Sequence, residues 1–459
     1  MNRPVPAPHE GVAVPASAHV SGGAPESVAA QERAALALLT GPTARDLLRA
    51  ALARDGARLT EWDVHELHHR PGAGVTVGYT VTYDALGVSR SDYLLLSTAE
   101  LSPEAVEAGR AVALDDGRTR VFAWRHPLDP ELPALELACD PAQVSAMLTG
   151  AGFAVSPHGA DVELLAYRPT RRAVLRVRSG GETWYLKVLR PDQVEAISSR
   201  HALLAEAGLP APRVLFAHPD GLVVLDELGG TPLASALAAD GAADLDPMRL
   251  VEVLDRLPGT LLELKRRPAW SDRIAHHGQA AQAALPEEAQ RIAAAVARVQ
   301  TGSEVARMGP VVPTHGDFYE AQLFVSDGAV VGLLDVDTAG PGSRVDDLAC
   351  LLGHLDVLPA LAPSVYPHVP ATVERWLAAF DRVVDPVALR VRTAGVVLSL
   401  VAGARTKGEA RSRLERAEAW LGDAALRKLW EIVGAPRLAE QTAANLALAR
   451  VSPTPSTVE

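Results

Sequence analysis

The sequence predicts an α+β protein, with strands filling its first half and helices its second. Three observations predict it. Between residues 57 and 226, short apolar runs alternate with polar residues and end at Gly, Pro or Asp turns, the period of half-buried strands. After Thr231, apolar residues recur at helical spacing instead. The strand-rich half also repeats itself. Asp63-Val64 with His69-Arg70-Pro71 matches Asp161-Val162 with Tyr167-Arg168-Pro169, and Asp92-Tyr93-Leu94-Leu95-Leu96 matches Trp184-Tyr185-Leu186-Lys187-Val188. Later Asp-Gly turns, Asp116-Gly117 and Asp220-Gly221, complete the match and suggest a duplicated strand-rich unit.

Taken in order, residues 1–28 are Ala, Pro, Ser, Gly and Val without a period, which predicts a disordered tail. It has no apolar core for a secretory signal and too little arginine for a transit peptide. Residues 29–150 form an N-terminal α+β domain. One or two amphipathic helices at 31–54, broken at Gly41-Pro42, are expected to pack on its sheet. Its glycines from Gly72 to Gly78 lack the spacing of a dinucleotide fingerprint. Residues 151–230 form the second strand-rich unit, with strands at 173–178 and 184–189 and a helix at 192–207. Residues 231–450 predict helices at 246–267, 287–300, 345–355, 371–384, 387–404, 411–433 and 438–450, and 451–459 is a second tail.

The chain has 459 residues, 48% of them hydrophobic, and no transmembrane run, which predicts a soluble, cytoplasmic protein. Two cysteines, Cys139 and Cys350, are too few for a disulfide framework and read as buried thiols. A formal net charge of -12 argues against nucleic-acid binding and suits a cationic small substrate through its field alone. The His276-His277 pair and the Lys265-Arg266-Arg267 cluster lack neighbouring ligand residues and read as solvated surface.

The segment from Val311 to Leu351 carries the chemistry. It sets Asp317, in an HGD triplet, eighteen residues before Asp335, in an LLD strand end. Two short strands around Ser326-Asp327-Gly328 would return the chain to its start and bring both aspartates to one edge. Phosphoryl transfer needs one carboxylate to orient the attacking hydroxyl and oxygen ligands to hold magnesium against the phosphates. Taken singly, each aspartate could be a turn or capping residue.

HGD, LLD and Gly340-Pro341-Gly342 followed by Asp347-Leu348-Ala349 resemble the aminoglycoside phosphotransferase family. The resemblance implies a two-lobed protein-kinase-like fold, with a β-rich small lobe and a helical large lobe. It implies Asp317 as catalytic base, Asp335 as the Mg2+ ligand, Asp347 as a buried brace for the catalytic loop, and His315 as a structural residue. The family carries an asparagine five residues after the HGD aspartate, whereas this chain has Gln322. Glutamine offers the same amide oxygen on a stem one methylene longer. Asp337 is a further candidate ligand, on the Asp335 face if the strand continues, or a turn aspartate if it does not.

Lysine occurs at only four positions among 44 Lys and Arg residues, and Lys187 alone interrupts an apolar strand-like run. A charge there needs a partner or a ligand, and the strand, strand, helix order matches the ATP-binding lysine of a kinase small lobe. Glu195 is the candidate partner, nearer the helix start than the family's usual place around Ser198 or Ser199. By resemblance Asp226-Glu227-Leu228 is the hinge that holds adenine. The basic turn Arg168-Pro169-Thr170-Arg171-Arg172 replaces a glycine-rich phosphate loop, and Arg171 and Arg172 could neutralise phosphate oxygens or be solvated. The first copy carries Leu95 where the second carries Lys187, so residues 57–136 read as a degenerate small-lobe-like sheet.

The expected function is therefore an ATP- and Mg2+-dependent kinase acting on a hydroxyl of a small molecule. An acceptor that is a sugar or other metabolite, and a nucleotide-binding pseudokinase, remain open readings at this point.

Overall fold

The computed structural model describes residues 28–53, 56–69, 74–115 and 119–450. All but the last residue of the expected N-terminal tail, the tail at 451–459, the Arg70-Pro71 corner, most of the Gly72–Gly78 glycine stretch's start, and the Asp116-Gly117 turn lie outside the described residues. The chain divides into two compact units, 1–194 with 215–225 and 195–214 with 226–459.

The first unit holds two five-stranded sheets. One comprises β1 (Arg58–His69), β2 (Val75–Ala85), β3 (Val88–Ser97), β4 (Val112–Asp115) and β5 (Arg120–Arg125) in the order β1-β2-β3-β5-β4. The other comprises β6 (Asp161–Arg168), β7 (Arg172–Ser179), β8 (Glu182–Leu189), β9 (Val214–His218) and β10 (Leu222–Asp226) in the same order, β6-β7-β8-β10-β9. Two helices, Val28–Thr40 and Ala44–Ala53, cover the first sheet as expected, burying Leu39, Leu48 and Leu52 against Val75, Val77, Tyr79 and Val81. Each leucine so buried contributes roughly 1.5–3 kcal/mol. The second sheet packs Ala173, Leu175, Val177, Leu186 and Val188 on the helices Leu135–Cys139 and Pro141–Gly150, which the periodicity had not predicted. The signal was local: Asp140 accepts from the Ala142 and Gln143 N–H groups, with Pro141 at the first helical position.

The second unit is helical, so the α+β class with its β-rich first part and helical second part holds. Several boundaries differ from expectation. The 246–267 helix is the shorter Pro247–Asp255, because Pro258 cannot continue it and a 3₁₀ turn, Gly259–Glu263, follows. The 411–433 stretch is two helices, Lys407–Leu421 and Arg427–Val433, parted at Gly422-Asp423. Leu233–Asp240 and Ile274–Ala284 are helices with no predicted counterpart. The second of these carries His276 and His277, and only the first of the pair is exposed. His277 stacks near Trp270 with its Nε2 buried and without a hydrogen bond, and burial lowers its pKa to about 4. The solvated reading fails for it because the helix turns it inward. Segment 386–403 is long and apolar enough to cross a bilayer, yet 67% of it is buried inside the protein, as in a core helix. Cys350 is buried and Cys139 only partly so.

Candidate active site

Five short strands and two loops build the site. β11 (Thr231–Pro232) pairs with β13 (Leu323–Ser326), β13 with β14 (Ala329–Leu333), and β12 (Val311–Thr314) with β15 (Gly340–Ser343). The β13–β14 turn puts Asp327 and Gly328 at φ 49° and 69°, the two positive values of a type I′ hairpin. Thr314 pairs with Gly340, so the loop leaving β12 and the loop entering β15 start at one place. Asp317 lies in the first loop and Asp335 in the second. Each is followed by a fully buried apolar anchor, Phe318 and Val336, in the core of this unit.

His315 stitches the two loops together. Its Nε2 donates to the Leu334 carbonyl at 2.8 Å, while its Nδ1 accepts from the Asp317 N–H at 3.2 Å. Those two bonds require the neutral ring with its proton on Nε2. Thr338 Oγ1 donates to the His315 carbonyl and the Leu334 N–H donates to the Gln322 carbonyl, at 2.8 and 2.7 Å. His315 thus acts through its ring on the backbone beside both aspartates. Gly316 has φ 83°, and a Cβ there would stand 2.9 Å from the Thr338 carbonyl oxygen, so the middle residue of HGD has to be glycine.

Asp347 sits in the first turn of the helix Arg344–Leu361, only 1% exposed. Its two carboxylate oxygens accept the His315 and Gly316 N–H groups at 3.0 and 2.8 Å. Burial raises its pKa, against the pull of these backbone donors and of Arg344. The carboxylate satisfies two backbone donors that would otherwise be orphaned by the turn.

Asp335 has left-handed backbone, φ 49° and ψ 47°, and 336–338 is a 3₁₀ turn. Strand alternation therefore does not carry from Asp335 to Asp337. The turn reading of Asp337 is the one observed, and its side chain is 8% exposed. Gln322 is buried too, and its Nε2 donates to the Tyr319 hydroxyl at 3.0 Å, which leaves its amide oxygen on the opposite side. Tyr319 stacks on His354 with centroids 4.3 Å apart. Its pKa rises to about 12, through burial first and then the charges of Asp317, Glu320 and Asp335. One hydroxyl thus feels both aspartates.

Three contributors had no sequence signal. Trp270 Nε1 donates to Asp317 Oδ1 at 3.1 Å across 47 residues of chain. Arg200, buried in the helix Val194–Glu206, donates from Nε to the Ala339 carbonyl just beyond the Asp335 turn. Glu320, 6% exposed, has a buried Oε2 without a hydrogen bond, and burial raises its pKa to about 7.

The remaining candidates lie elsewhere. Lys187 is 7% exposed in β8, opposite Val174 of β7 and away from a sheet edge. Arg171 is exposed and Arg172 half-buried at the β6–β7 turn. Glu195 is exposed and belongs to the second unit, whereas Lys187 belongs to the first. Asp226 accepts from the backbone N–H and Nε of Arg213, so its side chain clamps the linker; Glu227 is exposed and Leu228 half-buried. Among the described residues no three His, Cys, Asp or Glu side chains form a preformed metal cage. The donors at hand, the Asp335 and Asp337 carboxylates and the Gln322 amide oxygen, are all oxygen and suit Mg2+, which is commonly held by one or two carboxylates plus substrate phosphates.

Such paired loops on an α+β scaffold are those of a small-molecule phosphotransferase. Residues 168–392 match the family described as "Phosphotransferase enzyme family" (APH), in line with the HGD resemblance. A search of curated proteins finds no match. Solved structures similar to it include a thermostable mutant of aminoglycoside phosphotransferase APH(4)-Ia with AMP-PNP and hygromycin B, at 15% identity over 61% of this chain and 98% of that one, TM-score 0.45. Others are macrolide 2'-phosphotransferase MphH from Brachybacterium faecium (18%, 60% and 97%, TM-score 0.38) and an ethanolamine kinase from Plasmodium vivax (10%, 56% and 82%, TM-score 0.39).

Proposed function

We propose that the protein is an ATP-dependent O-phosphotransferase acting on a hydroxyl of a small molecule in the cytoplasm. The observation that carries this reading is the His315 stitch, which fixes the backbone beside Asp317 to the backbone beside Asp335. Asp317 accepts the hydrogen bond of the acceptor hydroxyl, orients its oxygen and takes its proton as the phosphoryl group transfers. Trp270 fixes the rotation of that carboxylate. Asp335, Gln322 and Asp337 hold Mg2+, which neutralises phosphate charge when bound. Lys187 binds the α and β phosphates with Glu195 as its partner, Arg171 and Arg172 add positive charge, and the backbone of Asp226, Glu227 and Leu228 holds adenine.

The net charge of -12 favours a cationic acceptor over an anionic one. Incubating the protein with ATP, Mg2+ and a panel of aminoglycosides, macrolides, amino alcohols and sugars tests the reading by mass spectrometry of the products. A phosphorylated acceptor is expected. Nucleotide binding with no product across the panel would point to a pseudokinase instead.

A further inference from the structure

The N-terminal domain has no role in the reaction as described, yet its segment after β5 reaches the turn of the second sheet proposed to bear on phosphate. That turn joins β6 to β7. The Arg171 N–H donates to the Arg168 carbonyl at 3.0 Å, with Pro169 second and Thr170 third in the turn, and Thr170 has φ 60°. Proline followed by positive φ is the pattern of a type II turn, whose third position strongly favours glycine. A β-branched residue there is strained and persists only when its surroundings impose the conformation.

The surroundings come from the segment after β5. Asp129, 0% exposed, accepts the Thr170 N–H at 2.8 Å and the Tyr167 hydroxyl at 2.6 Å on one carboxylate oxygen, and the Glu131 N–H at 2.9 Å on the other. On the far side of the same residue, Arg190 Nε donates to the Thr170 carbonyl at 2.9 Å and pairs with Glu131 at 3.6 Å. Tyr167 is held further by Trp124, whose Nε1 donates to its hydroxyl, and by packing on the Leu95, Phe122 and Trp124 cluster. Both peptide groups of a strained residue are thus gripped by side chains that answer to the N-terminal domain.

We propose that the N-terminal domain is a built-in brace for nucleotide binding, with Asp129 as the positioning residue that holds the β6–β7 turn and its Arg171 and Arg172 in a fixed conformation. Where a glycine-rich loop would be mobile, this turn is pre-organised, so less ordering is lost when phosphate binds. The inference rests on the proposed nucleotide role of that turn.

The test compares full-length wild type with Asp129→Asn, Tyr167→Phe and the double variant Asp129→Asn with Thr170→Gly. Hydrogen exchange in the peptide spanning the turn is read alongside calorimetric AMP-PNP affinity in Mg2+. Asp129→Asn is expected to speed exchange in the turn and weaken AMP-PNP by about tenfold, with Tyr167→Phe a smaller change in the same direction. Glycine at 170 no longer needs the brace, so the double variant should recover most of the affinity. Faster exchange with unchanged affinity overturns the inference, as do unchanged exchange or a double variant that binds no better than Asp129→Asn. If Asp129→Asn does not fold, Tyr167→Phe decides by the same two readouts. Wild type that binds no AMP-PNP overturns the proposed function itself, while the exchange data still report separately on whether Asp129 holds the turn.

Discussion

The two sheets of the first unit share a strand order and part company at one place in the third strand. In the first sheet Leu95 lies in an apolar cluster with Phe122 and Trp124, and Tyr167 from the second sheet packs on it. At the matching place in the second, Lys187 is nearly as buried but charged. One face is closed by a neighbouring side chain, and the other keeps a group that must be satisfied by a counter-charge or a ligand. Strand pattern and turns carry the fold through duplication, while the chemistry rests on single side chains that duplication need not preserve.

The largest effect is expected outside either sheet, at Asp317. Asp317→Asn should lower phosphoryl transfer by about 10³-fold, in the range of general-base catalysis, with AMP-PNP affinity within a few-fold of wild type. Turnover at the wild-type rate would remove the base assignment. Leu95→Lys places an unpaired charge in the apolar cluster and should cost about 3–5 kcal/mol in urea denaturation. It should create no second nucleotide site, and a stable variant that binds two AMP-PNP molecules would break the contrast between the sheets.

A buried charge is also at issue at Glu320, whose carboxyl is raised to about 7 from its ordinary 4.5. The folded protein keeps this proton where the unfolded chain has lost it, so the contribution of Glu320 to stability is full below about pH 4.5 and is lost as pH rises through about 7, by roughly 3 kcal/mol in all. Glu320→Gln should flatten that part of the stability profile in metal-free, nucleotide-free protein. Identical profiles for the two proteins would show that Glu320 does not titrate there. The smallest of these effects belongs to Lys187: Lys187→Ala should weaken AMP-PNP by about 2 kcal/mol, the size of a charge-assisted contact, and should leave the first sheet's stability unaffected.

Much of this was legible in the sequence because it is local. The Asp-Gly hairpin fixes its geometry within a few residues, the HGD triplet and Asp347 were legible as short motifs that resemble a known family, and Lys187 stood out against its apolar strand. The duplicated strand-rich unit followed from motifs repeated between its two copies, while the strand order they share did not. What could not be read depends on approach in space. Trp270 meets Asp317 across 47 residues and Asp129 meets Thr170 across 41, with no spacing rule linking either pair. His277 was misread because its helix has too weak a periodicity to show which side faces inward. Asp337 was ambiguous because a left-handed residue at Asp335 ends the strand one step before alternation could place it.

In the proposed mechanism the two stitched loops hold a metal-bound nucleotide through Asp335. Calorimetric titration of AMP-PNP into wild type and Asp335→Ala, each with and without Mg2+, tests it most directly. Wild type should bind at least about tenfold more tightly with Mg2+, and Asp335→Ala should bind alike in both conditions. An Asp335→Ala protein that keeps the full Mg2+ gain, or wild type indifferent to the metal, would contradict it.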